Sequence, residues 1–157
     1  MYIKYLNIYN NLIKLTRNKL LYLNLKNEEI FSDRMVFLLL HLSFFFKIYK
    51  QDNSKKTLQE INDFFFRQIE LSIREIGYGD VSINKNMKKY VNFLYDIINH
   101  IENWDNINEH KKTLIMNDFI SNAKNISYFV NYFDKLSDFY KNNTLIHFTK
   151  DIEEINI

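Results

Sequence analysis

The chain has 157 residues with 21 basic and 19 acidic side chains, for a formal net charge of +2, and is 46% hydrophobic and 17% aromatic. That is the composition of one globular domain over residues 1–157, not of a disordered chain, and it lacks the basic excess of a nucleic-acid-binding protein, so no DNA partner is expected. It has no cysteine, which excludes disulfides, thiolate metal sites and cysteine nucleophiles, and no proline; its two glycines, Gly77 and Gly79, are one residue apart.

The N-terminal segment has no secretory pattern, since Lys4, Lys14 and Lys19 interrupt its apolar residues. Residues 3–23 read as a first helix and 33–50 as a second. The second contains the most apolar run, "MVFLLLHLSFFF" at 35–46. This run is shorter than the roughly 20 residues that span a bilayer and carries His41 and Ser43, so a buried core helix is expected, with His41 as a hydrogen-bonded core residue. The flanking Arg34 and Lys47 leave a dip into a membrane surface open.

Leu58, Ile61, Phe65, Ile69, Ile73 and Ile76 recur at steps of three and four and predict a helix over 55–76, its start capped by Asn53 or Ser54. Phe64, Phe65 and Phe66 cannot all face one core. Either one of them is exposed or in a groove, or the helix is buried on two sides. Gly77 falls just past the stripe, where a left-handed backbone ends a helix without a Cβ clash. Tyr78 is then expected to pack back on Ile73, Gly79 to allow a second change of direction, and Asp80 to bond neighbouring amides.

Met87, Tyr90, Phe93/Leu94, Ile97/Ile98 and Ile101 predict the next helix over 84–103. Lys85, Lys88 and Lys89 in its first turns would oppose the helix dipole, so a partner or an internal carboxylate should compensate. Residues 109–123 and 126–141 give two further helices. The tail "TLIHFTKDIEEINI" divides between strand, helix and disorder. Together these predict an all-α fold, a single-domain helical bundle of about six helices.

Little in the chain suggests chemistry. The four histidines show no metal-binding spacing, and Asp96 and His100, four apart on one face, read as a surface ion pair. No nucleophile elbow, phosphate loop or dinucleotide fingerprint is present, and "GYG" lacks the third glycine and preceding strand that a phosphate cradle requires. No catalytic residue, metal or cofactor is therefore expected. A small enzyme using the carboxylates of Glu75 and Asp80 is the weaker alternative.

The run "DFFFRQIELSIREIGYGDVSINKNMKK" resembles the signature of the ubiquinol–cytochrome c chaperone family, in which Arg-Glu-x-Gly-x-Gly-Asp is followed by an apolar pair and Lys-x-Met-Lys. Here those positions are Arg74, Glu75, Gly77, Gly79, Asp80, Lys85, Met87 and Lys88. Upstream, "SDRMVFLLLHL" is similar to the family's Asp-Gly-Arg-Phe stretch followed by Leu-His-Leu, at Asp33, Arg34, Leu40, His41 and Leu42. The resemblance covers roughly residues 20–101. Asn84 stands where the family usually has proline, Ser32 or Asp33 where it has glycine, and Tyr95 and Asp96 where small residues with Tyr-Gly-Arg are usual. Asn84 can cap a helix that proline would otherwise begin.

The resemblance implies an assembly chaperone that holds newly made cytochrome b, or another bc1 complex subunit, for the respiratory complex, and not an enzyme. It implies client- or partner-binding roles for Asp33, Arg34, His41, Arg74, Glu75, Gly77, Tyr78, Gly79, Asp80, Lys85, Met87 and Lys88. Mitochondrial members act with a small partner protein near the ribosomal tunnel exit. The expected location is the cytoplasmic face of a bacterial inner membrane, with the mitochondrial matrix as the alternative. The competing reading is a peripheral membrane- or ribosome-associated adaptor whose basic helix face carries Lys85, Lys88 and Lys89.

Overall fold

A helix with no polar face has to be covered on all sides, and in the computed structural model the rest of the chain does this for the apolar run of residues 35–46. The structure describes residues 2–27, 31–155 and 157. Its helices are α1 (Tyr2–Thr16), α2 (Lys19–Leu23), α3 (Phe31–Tyr49), α4 (Lys55–Ile76), α5 (Asp80–Ile101), α6 (Glu109–Phe119) and α7 (Ile126–Lys141), with short 3-10 turns at Trp104–Asn106 and Leu145–Thr149. The fold is a single all-α domain, with seven helices among the described residues.

Helix α3 is the axis. It packs against α1, α5 and α7, while α4 closes on α1 and α5, and α6 on α7. From Phe37 to Phe45 every residue of α3 is buried. Each buried leucine or phenylalanine there contributes roughly 1.5–3 kcal/mol relative to exposure. Aromatic rings fill the space around it: Phe44 stacks on Phe133 and meets Trp104 edge-on, and Phe45 meets Tyr49, Tyr140 and Phe148.

The polar side chains within the buried stretch 37–45 are hydrogen-bonded. Ser43 donates to the Leu39 carbonyl at 2.6 Å. His41 is fully buried, with Nδ1 2.6 Å from the Phe37 carbonyl and Nε2 2.6 Å from the Tyr132 hydroxyl. A carbonyl only accepts, so Nδ1 carries the proton and Nε2 accepts from Tyr132. The Tyr140 hydroxyl donates to the His41 carbonyl, and Tyr49 donates to the Tyr140 and Asn143 carbonyls. The expectation of a hydrogen-bonded core histidine is met.

Helices α4 and α7 coincide with the predicted spans, and Ser54, not Asn53, caps α4 by accepting from the Thr57 amide at 3.1 Å. Other elements depart from expectation. The predicted helix over 3–23 breaks after Thr16, because the Asn18 side chain accepts from the Leu20 amide and restarts the chain as α2. Helix α6 stops at Phe119, and the residues beyond pair instead with the segment after α2: Lys26 donates to Asn122 and Lys124 to Asn24. Phe64, Phe65 and Phe66 are all buried, so α4 is covered on two sides, with Tyr5 and Tyr9 of α1 against Phe64 and Tyr9 also against Phe65.

The tail, ambiguous in sequence, forms one 3-10 turn and then an extended strap across α1. Asn11, buried in α1, donates to the Phe148 and Lys150 carbonyls at 2.9 and 2.8 Å, and Asn7 donates to Thr149. Phe148 anchors the strap in the aromatic core. Among the described residues, no helix is long and apolar enough to cross a membrane.

Burial of His41 lowers its pKa from 6.5 to about 4. The folded state therefore disfavours the proton that the unfolded chain accepts. The resulting stability is complete above pH 6.5 and is lost as pH falls toward 4. Urea unfolding at pH 7 and pH 4.5 should show the native chain losing about 2–3 kcal/mol more than His41→Leu. An equal loss in both would show that His41 does not titrate in this window.

Candidate functional site

The corner between α4 and α5 is made by two glycines with different jobs. Gly77 has φ +98°, and its amide donates to the Arg74 carbonyl at 3.0 Å, closing α4 with a left-handed residue. Gly79 has φ −74° and ψ 162°, an extended conformation open to any residue, and its carbonyl accepts the first α5 bond from Ile83. The second change of direction thus needs no glycine. Open space surrounds both missing Cβ positions.

An arginine braces the turn. Arg74 in the last turn of α4 donates to Glu70 at 3.1 Å and to Asp80 in the first turn of α5 at 3.0 Å. The Asp80 bond, then the Glu70 bond, raises the guanidinium pKa. Asp80 also favours the positive end of the α5 dipole. Because α5 begins at Asp80 and not at 84, Asn84 lies in its second turn and does not cap it, and Lys85 and Lys88 stand beyond the first turn. They escape the dipole penalty expected from sequence. Both are exposed and make no ion pair among the described residues.

The apolar residues of the corner face outward. Ile76 is 52%, Tyr78 46% and Val81 85% exposed, so Tyr78 does not fold back onto the core as expected. Ile76 also forms one wall of a groove of about 650 Å³ between α1, α3 and α4. Ile13, Met35, Leu38 and Ile69 give this groove an apolar base, and Arg17, Arg34, Glu75 and Ser72 give it a polar rim. Arg34 and Glu75 come from the two separate motif stretches of the sequence. The fold brings them to one concavity.

The remaining candidates are dispersed. Asp33 lines a small cleft apart from this groove, where Asn122 donates to its Oδ1 at 3.4 Å and its Oδ2 has no hydrogen-bond partner among the described residues. His41 is in the core, where it shapes packing and has no surface with which to touch a client. Met87 is half-buried against the core. Asp80 is held by Arg74 at the corner while Glu75 lines the groove, so these carboxylates do not form a paired site. Nδ1 of His100 lies 3.2 Å from the Asp96 carboxylate at the surface, a contact that is an ion pair only when the imidazole is protonated.

Sequence reasoning missed Tyr9, Arg17 and Ser72, which line the same groove from α1, the α1–α2 break and α4. Burial pushes the Tyr9 phenol up, against the opposing influence of Ser72 and Arg17. Their signal was absent because the break at Arg17-Asn18, which opens the groove, lies inside a continuous helical pattern.

The two glycines should respond differently to alanine. Gly77→Ala is expected to cost about 1 kcal/mol or more, and Gly79→Ala to be neutral or to stabilise by ~0.5 kcal/mol. Thermal unfolding of the two variants checks this, and equal losses would contradict the assignment of φ as the difference between them.

The model of the ubiquinol-cytochrome C chaperone family matches residues 23–105, just over half of the 157-residue chain. The match spans α3, α4 and α5 and so contains the corner and the groove residues Arg34, Glu75 and Ile76. No curated protein and no solved structure matches the chain. On the family match, the chain belongs to the ubiquinol-cytochrome C chaperone family.

Proposed function

We propose that this protein holds newly made cytochrome b, or another subunit of the bc1 complex, during assembly, and that it acts by binding and not by catalysis. One observation carries the reading: Arg34 and Glu75, from two motif stretches far apart in sequence, rim a single groove with an apolar base. Such a groove suits an apolar client segment, and the opposite charges at its rim would fix that segment's orientation. Ile76, Tyr78 and Val81 extend the apolar surface onto the corner. The open space at Gly79, where the backbone itself makes no demand for glycine, suits close approach by a client main chain.

In this reading Arg74, Asp80 and Gly77 shape the corner, while Arg34, Glu75, Tyr78 and Gly79 meet the client. Asp33, His41 and Met87 support the surface from within. Lys85 and Lys88, exposed beside Val81 and without an ion pair among the described residues, suit contact with an anionic surface at the inner-membrane face. The whole of 1–157 would act as one unit, because the strap after α7 and helix α1 cover the core from outside the matched region.

Deleting the gene in its host is expected to lower both assembled bc1 complex and cytochrome b. Normal levels of both would overturn the proposal. Complementation sharpens it: Arg34→Glu, Glu75→Lys and Gly79→Ala should each give a folded protein that restores the complex poorly. Full restoration by all three would remove the groove and corner from the mechanism.

A further inference from the structure

The chain turns from α4 to α5 on a tip that nothing covers. Every residue from 74 to 82 is exposed, and a side chain added at Gly77 or Gly79 would meet only open space. Large apolar side chains lie on this tip: Ile76, Tyr78 and Val81, the last 85% exposed. Val81 also begins a stripe along α5. Lys85 and Lys88 follow it on the same helix face, and Lys89 stands one turn after Lys85. All three lysines are exposed and make no ion pair among the described residues.

We propose that this tip docks on the surface of an anionic lipid bilayer. Val81 and Tyr78 enter the headgroup layer, and Lys85, Lys88 and Lys89 lie against the lipid phosphates. The proposal rests on the reading above for the client and adds the surface on which that client is met. Ile76 belongs both to the tip and to the wall of the client groove, so a docked tip holds the end of that groove at the bilayer.

Shape, polarity and charge together select this occupant. A protruding tip has no concavity for a peptide, whereas a fluid headgroup layer closes around it. An exposed valine gains by leaving water for the boundary between headgroups and acyl chains, and a tyrosine suits that boundary with its apolar ring and polar hydroxyl. A nucleic-acid backbone would use the lysines and leave Val81 in water. The charges are also sorted. Arg74 holds Glu70 and Asp80, and Glu75 shares its groove with Arg17 and Arg34. The arginines thus match the nearby carboxylates, and the lysines are the surplus. Their attraction to an anionic leaflet falls off within a Debye length, about 8 Å at physiological salt.

Flotation of the full chain with lipid vesicles tests this. Vesicles of phosphatidylcholine with phosphatidylglycerol should carry the protein at low ionic strength, phosphatidylcholine alone should not, and added salt should release it. The double variant Lys85→Glu with Lys88→Glu should bind about tenfold or more weakly, with unchanged thermal unfolding because both side chains are exposed. Val81→Ser, which alters no charge, should also weaken binding. Because the chain has no cysteine, Val81→Cys and Ile146→Cys each create one attachment point for a polarity-sensitive dye. Anionic vesicles should shift the emission of the dye at 81 to the blue and leave that at 146, exposed on the C-terminal turn, unchanged. Absence of flotation with anionic vesicles, undiminished binding by the lysine variant, or a shift at 146 and none at 81 would each overturn the proposal. So would full binding by Val81→Ser, the result expected of a purely electrostatic contact such as one with RNA. The vesicles contain no client, so their failure leaves the client groove in place, and normal bc1 levels after gene deletion leave the vesicle result in place.

Discussion

The constraint on which the structure depends is that the middle of α3, from Phe37 to Phe45, is buried on every side and contains a histidine. An apolar helix can be covered by many arrangements of neighbours, but a buried imidazole with one donor and one acceptor nitrogen narrows them. The Phe37 carbonyl takes the proton of His41, and a hydroxyl must then stand opposite Nε2. Tyr132 supplies it from α7, 91 residues away, and Tyr140 on the same helix returns to the His41 carbonyl. Helix α7 is thereby fixed in position along α3 by polar contacts, while aromatic packing supplies most of the adhesion.

With α7 fixed on one side, α1 and α5 cover the others and α4 closes on those two, and this placement creates the surface features. The antiparallel α4 and α5 require a corner. Gly77 supplies the backbone conformation and Arg74 ties the last turn of one helix to the first turn of the next. The same packing leaves α4 with a groove at each end, one bordered by α1 and α3 and the other by α3 and α5. One groove gathers residues from both motif stretches. The other has an apolar floor of Phe46, Leu58, Leu94 and Ile98.

Much of this was readable from the chain, and the reason is local. Helix α4 begins at a serine and ends at a glycine, and α7 begins at an asparagine, so their boundaries are written in side chains that act on the adjacent backbone. The central helix announced itself by having no polar face. The parts that were missed depend on contacts remote in sequence. Asn18 could have continued a helix, and only the structure shows it capping α2. Phe64 and Phe66 are buried because α4 is covered from two directions, which periodicity on one helix cannot distinguish from a client groove. The corner was located correctly, but Gly79 was assigned a conformational need it does not have, and the start of α5 was placed four residues late. Of the candidate site, the motif residues are legible in the sequence; that Arg34 and Glu75 line one groove while Asp33 and His41 lie elsewhere required the fold.

The central claim is that the concavity uniting the two motif stretches is where the client sits. A photoreactive amino acid placed at Ile76, on the wall of that groove, and separately at Ile146, exposed on the C-terminal turn, tests it in cells making cytochrome b. The account expects a cross-link to cytochrome b from position 76 and none from 146. A cross-link from 146 alone, or from neither position, would contradict it.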